Sequence, residues 1–145
     1  MNLLDSMAIS SSGLGAQRMV IHVIAMNLSN ANTTRTAEGG PYLRKQVILS
    51  PSYLEKKFSS LLSHKLGDER IGVKSEVVED PHGIKTVYDP AHPDADEAGL
   101  VALPNVQISE EMIHLLRATR SYEANITAFN AAKTMALKAL EIGKL

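Results

Sequence analysis

The sequence predicts an α+β fold, mainly α, with two long terminal helices packed antiparallel as a coiled coil and a small β-hairpin-containing middle domain. Three observations lead to this prediction: apolar residues recur every seven positions at both ends, strand-like alternation occurs in the middle, and aromatic residues make up only 4% of the chain. Because there is no Trp, the core must come mainly from aliphatic side chains, which suit helix seams. We expect residues 1–34 and 107–145 to form a terminal-helix assembly domain, and residues 35–106 to form a small β-rich middle domain.

The first helix is predicted over residues 3–31, where two columns of residues spaced by seven form a heptad-like seam. One column is Met7, Leu14, Ile21 and Leu28, and the other is Leu3, Ser10, Gln17, Ile24 and Ala31. Residues 1–34 carry one acid, Asp5, and one base, Arg18, although a solvated surface helix normally has a charged face. The small neutral polar residues found instead suit close packing on several sides.

The middle of the chain has the local chemistry of strands and turns. Residues 71–79 alternate as a strand, residues 80–83 (Asp-Pro-His-Gly) match a type I turn, and residues 84–88 are predicted to return as the partner strand of a hairpin. Three further segments are assigned from their local patterns: a short strand at 47–49, a short helix near 53–66 and an extended loop over 89–105.

The second helix is predicted from about 109 to 141, and its heptad pattern is stronger. One column is Ile108, Leu115, Tyr122, Phe129 and Ala136, and the other is Met112, Thr119, Ile126 and Leu140, with Lys133 interrupting. Ser109 is expected to cap the helix, which places Glu110 and Glu111 near the positive end of its dipole.

Two such helices cannot cover all of their own apolar residues. At 1.5 Å per residue they would be about 43 and 52 Å long, so we expect an elongated molecule. Each helix buries only one stripe against the other, so that the remaining apolar side chains need partners from outside the pair. These side chains include Val20, Val23, Ile113 and Leu116. Copies of the same chain or related chains are expected to cover them.

Catalytic and metal-binding patterns are weak. The absence of cysteine excludes disulfides, thiolate zinc sites and cysteine nucleophiles. Gly13-Leu14-Gly15 lacks the third glycine and the preceding strand of a dinucleotide-binding fingerprint, so it indicates helix flexibility or close helix packing. We predict no catalytic residue, no metal ligand and no cofactor. The alternative is a small metal-dependent enzyme that uses His92 and Asp94, in a loop whose carboxylates more commonly form Asx turns with the backbone.

Charge and hydropathy limit the partners further. A formal net charge of -1 argues against binding to nucleic acid or to an anionic membrane through bulk charge. The longest apolar run, residues 19–28, is well short of the roughly 20 residues that cross a bilayer, so no bilayer insertion is predicted. The amino-terminal sequence also lacks the basic start and compact apolar block of a cleaved signal peptide.

Several short motifs occur together along the chain. They are Asn27-Leu28-Ser29-Asn30-Ala31-Asn32-Thr33-Thr34, Glu38-Gly39-Gly40-Pro41-Tyr42, Tyr88-Asp89-Pro90-Ala91-His92-Pro93-Asp94-Ala95-Asp96, Pro104-Asn105-Val106 and Ser121-Tyr122-Glu123-Ala124-Asn125-Ile126 through Lys133-Thr134-Met135-Ala136-Leu137. On these motifs the chain resembles the bacterial flagellar rod and hook proteins, the axial family, and in particular its proximal rod members. The resemblance covers nearly the whole chain.

The resemblance implies a structural subunit of the flagellar basal body. Such a subunit polymerises through its terminal helices into the proximal rod, the hollow drive shaft that transmits torque across the periplasm. It leaves the cytoplasm through the flagellar type III export apparatus, without a cleaved signal peptide. The implied partners are the chain itself, other flagellar rod proteins, the export apparatus and the basal-body ring components.

Two sets of residues are expected to carry this function. The assembly seam consists of Met7, Leu14, Ile21, Ile24, Leu28, Ile108, Met112, Leu115, Tyr122, Ile126, Phe129 and Leu140, and the helix-end motif consists of Asn27, Asn30, Asn32 and Asn125. Asn30 and Asn32 tolerate the left-handed conformation that closes a helix, and their amides can cap loose carbonyls or reach an adjacent subunit. Asn125 is expected to make an interhelix hydrogen bond that sets the register.

A different class of function would also explain the heptads. A soluble coiled-coil adaptor that binds one helical partner needs the same spacing of apolar residues. It would not explain why the first helix has almost no charge.

Overall fold

The computed structural model describes residues 3–53, 71–80 and 84–143. Within these residues the chain forms two long helices and four strands, which we number in chain order. They are α1 (Leu3–Ser29), β1 (Lys45–Tyr53), β2 (Ile71–Glu79), β3 (Lys85–Tyr88), β4 (Leu100–Leu103) and α2 (Ile108–Ile142). The mainly helical α+β class is therefore confirmed, whereas the antiparallel coiled coil stays a prediction.

Both helices begin and end close to the predicted residues. α1 ends at Ser29 rather than at residue 31, and α2 is one residue longer at each end than the predicted 109–141. The expectation that Ser109 caps α2 is wrong, because the Glu111 N–H already donates to the Gln107 carbonyl at 3.0 Å. Ser109 therefore lies inside the first turn. Neither described helix combines the length and the apolar composition needed to span a bilayer.

The strands pair differently from the predicted hairpin. β2 and β3 form over nearly the predicted residues, but β2 pairs with β1 and β3 pairs with β4, in two separate two-stranded sheets. β3 and β4 run antiparallel, with Lys85 opposite Leu103 and Tyr88 opposite Leu100. The hairpin between β2 and β3 is therefore wrong, and so is the extended loop over 89–105, because β4 lies within it.

Contacts between β1 and the end of β2 explain the pairing of these two strands. The Asp80 N–H donates to the Arg44 carbonyl at 2.8 Å, and the Lys45 ammonium lies 3.2 Å from the Glu79 carboxylate. β1 and β2 each have nine residues, whereas β3 has four. β1 therefore offers β2 more cross-strand pairs than the strand that follows it in sequence. The predicted turn residues 81–83, and the predicted short helix near 53–66 beyond Tyr53, lie outside the described residues.

The chain divides into two compact units, each made of segments that are distant in sequence. Unit 1 comprises Met1–Met19, Leu49–Glu76 and Thr119–Leu145, and unit 2 comprises Val20–Ile48 and Val77–Ala118. In the described part of unit 1, the buried residues include the small side chains of Ala16 and Ala132. Unit 2 buries the larger side chains of Val23, Ile24 and Tyr42. The domain division that the sequence suggests, 1–34 with 107–145 against 35–106, stays a prediction.

Candidate assembly site

α2 buries one stripe of side chains within the chain. Apart from Thr119, its buried and half-buried residues follow an alternating spacing of four and three, and we call them the inner stripe: Glu111, Leu115, Ala118, Tyr122, Asn125, Phe129, Ala132 and Ala136. This spacing is typical of a helix that packs along another element. The inner stripe contains the predicted seam residues Leu115, Tyr122 and Phe129. Its other column starts at Glu111, one residue before the predicted column that starts at Met112.

The remaining predicted seam residues of α2 lie outside the inner stripe. Ile108, Met112, Ile126 and Leu140 are 52%, 55%, 37% and 66% exposed. Other large apolar side chains of this helix are exposed as well: Ile113, Leu116, Met135, Leu137 and Ile142. We call all of these residues the exposed apolar set of α2. Exposed apolar side chains gathered on one element are typical of an interaction surface.

α1 is covered more completely than α2. Of its predicted seam residues, Ile24 is buried, and Met7, Leu14, Ile21 and Leu28 are half-buried. Apart from Met19, the exposed residues between 5 and 29 form one stripe, which we call the outer stripe of α1: Ala8, Ser11, Gly15, Arg18, His22, Ala25 and Ser29. The chain itself therefore covers most of the apolar residues of this helix.

This coverage corrects one expectation about partners. Val23 is only 3% exposed and Val20 is half-buried, so the expectation that Val23 needs a partner from outside the chain is wrong. Val23 lies in the core of unit 2, where the chain supplies its neighbours. Ile113 and Leu116, which carried the same expectation, are 50% and 63% exposed.

The two helices approach each other closely at Gly13, within unit 1. A Cβ atom on Gly13 would lie 3.1 Å from Nδ2 of Asn125, which is tighter than an ordinary contact. Glycine therefore allows the Asn125 amide to lie against the α1 backbone. Of the two interpretations of Gly13-Leu14-Gly15, close helix packing is the one observed at Gly13. The interhelix hydrogen bond expected of Asn125 stays a prediction.

Asn27, from the helix-end motif, is the centre of a buried polar cluster in unit 2, and it is 1% exposed. Its Oδ1 accepts hydrogen bonds from the Tyr42 hydroxyl and the Lys45 N–H, both at 3.0 Å. Its Nδ2 donates to the Lys45 carbonyl at 2.8 Å and to Oε2 of Glu111 at 3.3 Å. Both donors and both lone pairs of the amide are thus used. The amide joins the end of α1 to the start of β1 and to the first turn of α2.

Glu111 brings a charge into this cluster and is also 1% exposed. Its Oε1 accepts a hydrogen bond from Nε of Arg44 at 2.8 Å and lies 2.6 Å from Nη2 of Arg44. A buried carboxylate without such a partner would be strongly destabilising. Glu111 therefore does more than complement the helix dipole, which was its predicted role. Every buried side-chain nitrogen and oxygen in the described residues has a hydrogen-bond partner.

The cluster also changes the acidity of Tyr42. Burial raises the pKa of the Tyr42 phenol above its ordinary value of 10.0, and the negative charges of Glu79 and Glu111 raise this pKa further. The folded chain therefore favours the neutral phenol, whose O–H donates a hydrogen bond to Asn27 Oδ1.

Asn30 closes the end of α1 through its side chain. Its Nδ2 donates to the Met26 carbonyl at 2.9 Å, and its Oδ1 accepts a hydrogen bond from the Thr33 hydroxyl at 3.2 Å. Only glycines have a positive φ among the described residues, so Asn30 and Asn32 do not adopt the left-handed conformation. The Asn30 amide thus reaches a helix carbonyl as expected, but that carbonyl is not a loose one, because it also accepts the Asn30 backbone N–H at 3.1 Å. The Asn32 side chain is exposed.

The acidic loop between β3 and β4 is held together by its own carboxylates. Asp89 and Asp96 each accept the backbone N–H two residues further on, at 3.2 and 2.9 Å, which makes two Asx turns. Asp94 accepts a hydrogen bond from the Thr34 hydroxyl at 2.7 Å, and its N–H donates to Nδ1 of His92. In the part of the chain that the structure describes, no three His, Asp or Glu side chains are grouped so as to hold a metal ion.

The sequence analysis did not predict that three residues would join the polar cluster around Asn27: Tyr42, Arg44 and Glu111. For Tyr42 the sequence does contain a signal, the Gly39-Gly40 pair before it, which indicates a turn. Both glycines have a positive φ in the structure, at 90° and 78°. After this turn, the Tyr42 N–H donates to the Thr33 carbonyl at 3.1 Å. The Arg44–Glu111 pair joins residues 67 positions apart, so no local pattern could predict it.

Comparison with known proteins agrees with the motifs. Residues 97–142 match the family described as "Flagellar basal body rod FlgEFG protein C-terminal". The chain is 45% identical to the flagellar basal-body rod protein FlgC of Bacillus subtilis, over 99% of this chain and 100% of that protein. It is 41% identical to FlgC of Borreliella burgdorferi, with 98% of each chain covered. It is 37% identical to FlgC of Salmonella typhimurium, over 99% of this chain and 100% of that one.

Proposed function

Because the chain belongs to the FlgC family of flagellar basal-body rod proteins, we propose that it is a structural subunit of the proximal rod. In this proposal the chain polymerises through its terminal helices into the hollow drive shaft that transmits torque. Its relatives are named as rod proteins and not as enzymes, and no catalytic role is proposed for it. A rod component assembles with other rod and basal-body proteins.

The observation that carries this proposal is the exposed apolar set of α2. Large aliphatic side chains such as Met112, Leu116 and Leu140 are 55%, 63% and 66% exposed in the single chain. Removing apolar surface from water contributes about 25 cal/mol for each Å² buried, so covering these side chains favours association. An assembly whose walls are made of neighbouring helices supplies such a cover along the whole helix.

The antiparallel packing of α1 and α2 is part of the same proposal. Two contacts support it: Gly13 lies against Asn125, and Asn27 bonds to Glu111. Gly13 and Asn27 are two heptads apart on α1, and Glu111 and Asn125 are two heptads apart on α2. The α1 contact nearer the amino terminus involves the α2 residue nearer the carboxyl terminus, as antiparallel packing requires.

The location and the remaining partners follow from the family. We propose that the chain lies in the periplasm-spanning rod of the basal body and is exported by the flagellar apparatus without a cleaved signal peptide. Its proposed partners are other copies of itself, other rod proteins, the export apparatus and the basal-body ring components. The name shared by its relatives, basal-body rod protein, supports this location.

Limited proteolysis tests the proposal on the full chain. The isolated protein is compared with the same protein in basal bodies purified from the native bacterium. We expect cleavage near both ends of the isolated chain and protection of those sites in the basal body, because neighbouring subunits cover them. A chain that is absent from basal bodies, or equally protected in both states, would contradict the proposal. Recovery with one soluble helical partner would instead favour the adaptor.

A further inference from the structure

Contacts among the described residues do not explain the glycine at position 15. It lies in the interior of α1, where glycine is less favourable than alanine, and it is exposed on the outer stripe. A Cβ atom on Gly15 would meet no atom of the described residues within 4 Å, whereas one on Gly13 would meet the Asn125 amide. The reason for Gly13 is therefore found inside the chain. Within the part of the chain that the structure describes, the space beside Gly15 is open.

Two charged residues of unit 1, Arg18 on α1 and Glu123 on α2, lie on exposed stripes of their helices. Arg18 is the only Lys or Arg in α1, and it lies on the outer stripe one turn after Gly15. On α2, within the same unit 1, a row of exposed residues runs beside the inner stripe, and we call it the flank stripe: Glu123, Ile126, Asn130, Lys133, Leu137 and Leu140. Glu123 thus lies one turn before the apolar Ile126, which is 37% exposed.

We propose that the outer stripe of α1 in one copy docks against the flank stripe of α2 in a second copy, with the helices antiparallel. This inference rests on the proposed rod function, and it identifies a second copy of the chain as the partner that covers the flank stripe. Arg18 lies opposite Glu123, and Gly15 lies opposite Ile126, so a charge meets its opposite and a large side chain meets the open space at glycine. Continuing this register places Ser11 opposite Asn130.

Two features favour this register over the alternatives. The Gly13–Asn125 contact occupies a different face of each helix, so the intrachain packing leaves both stripes available. With Arg18 opposite Glu123, a parallel alignment would instead place Gly15 opposite the charged side chain of Arg120. The antiparallel alignment is the one that pairs the glycine with an exposed apolar side chain.

Site-specific crosslinking tests this contact because the chain contains no cysteine. The variants Ser11→Cys and Asn130→Cys are produced as two separate chains in the same cells of the native bacterium. Purified basal bodies are then treated with a short bis-maleimide. Both replaced residues are exposed. We expect a product of about twice the 15.7 kDa chain mass, which forms only when both variants are present. The matched control pairs Ser11→Cys with Ala131→Cys, an exposed position about 100° further around α2, and should give no product.

The outcomes separate the docking inference from the rod proposal. Variants that enter basal bodies but give no product, or a product with a different rod protein, would overturn the second copy as occupant and leave the rod proposal intact. A chain that never enters basal bodies would overturn the rod proposal itself. Equal products from Asn130→Cys and Ala131→Cys would overturn the register.

A charge exchange gives an independent result if the cysteine variants do not assemble. Arg18→Glu and Glu123→Arg are each expected to lower the amount of chain recovered in basal bodies about fivefold, because each places like charges in contact. The double variant restores the opposite charges and should recover the wild-type amount. If the double variant is no better than the single variants, the proposed contact is wrong.

Discussion

The two helices differ in how much of their surface the chain itself covers. α1 exposes little beyond one narrow stripe, which is mostly small residues, whereas α2 buries one stripe and exposes large aliphatic side chains over much of the rest. The sequence predicted that both helices need outside partners, with Val20 and Val23 named on α1 and Ile113 and Leu116 on α2. A lack of charge indicates burial but does not say by what. For α1 much of that burial is intramolecular, so that the larger requirement for partners falls on α2.

The largest test of this difference uses two neighbouring leucines of α2. Leu115 is half-buried on the inner stripe, and Leu116 is 63% exposed. We expect Leu115→Asp to lower the free energy of unfolding by about 4 kcal/mol, because it places a charge in the packed stripe. Leu116→Asp should change it by no more than about 0.5 kcal/mol and yet prevent assembly. Urea unfolding of the isolated chain and recovery in basal bodies measure the two effects.

Equal destabilisation by the two leucine variants would show that α2 has no distinct inner and exposed surfaces. The same would follow if Leu116→Asp assembled normally and the bacteria swam at the wild-type rate. Leu115→Ala is a useful further control, because it removes packing without adding a charge.

The next test concerns Asn27, where the end of α1 meets the start of β1. Asn27→Ala removes four hydrogen bonds and leaves the N–H and carbonyl of Lys45 without these partners. We expect a loss of about 3 kcal/mol in the free energy of unfolding, measured with urea. The control is Asn32→Ala in the same motif, which is exposed and should cost less than about 0.5 kcal/mol. Similar losses in both variants would contradict the central role of Asn27.

The inner stripe shows how far the sequence could predict this site. Leu115, Tyr122 and Phe129 form a column of large side chains, so their spacing was enough to find it. The second column contains Glu111 and Asn125 with two alanines, and an apolar pattern passes over such residues. Glu111 is buried because Arg44 and Asn27, which are distant in sequence, satisfy its carboxylate. The second apolar column that the sequence predicts, with Met112, Ile126 and Leu140, therefore consists of exposed residues one position further along the helix.

Strand pairing was difficult to predict for a related reason. The individual strands β2 and β3 could be recognised from local alternation, since that pattern depends on neighbouring residues only. Their partners depend on contacts between distant segments, such as the Lys45–Glu79 ion pair and the Asp80–Arg44 hydrogen bond. For the loop between β3 and β4, the sequence left two interpretations, Asx turns or a metal site. The Asx turns are observed, and they could be predicted because each involves only neighbouring residues.

A smaller effect is expected from Tyr42, in the same polar cluster. Its pKa is raised in the folded chain, so above about pH 10 the unfolded chain loses its phenol proton first and stability falls as the pH rises. Tyr42→Phe should cost about 1 kcal/mol at neutral pH, because the bond to Asn27 is lost. It should also make the fall in stability above pH 10 less steep than in the wild type. Identical slopes, measured by urea unfolding between pH 8 and 11, would rule out this contribution of Tyr42.

The smallest test compares the two glycines of α1. Gly15→Ala should raise the free energy of unfolding by about 0.5–1 kcal/mol, because alanine favours the helix and its Cβ meets open space. Gly13→Ala gains the same helix propensity but forces the Asn125 amide to move, so we expect it to be less stable than Gly15→Ala. Assembly should show the opposite effect: we expect less Gly15→Ala than wild-type chain in basal bodies, because the added methyl group occupies the space proposed for Ile126 of a second copy. If Gly15→Ala is both more stable as an isolated chain and recovered in full in basal bodies, the outer stripe of α1 does not take part in close packing between copies.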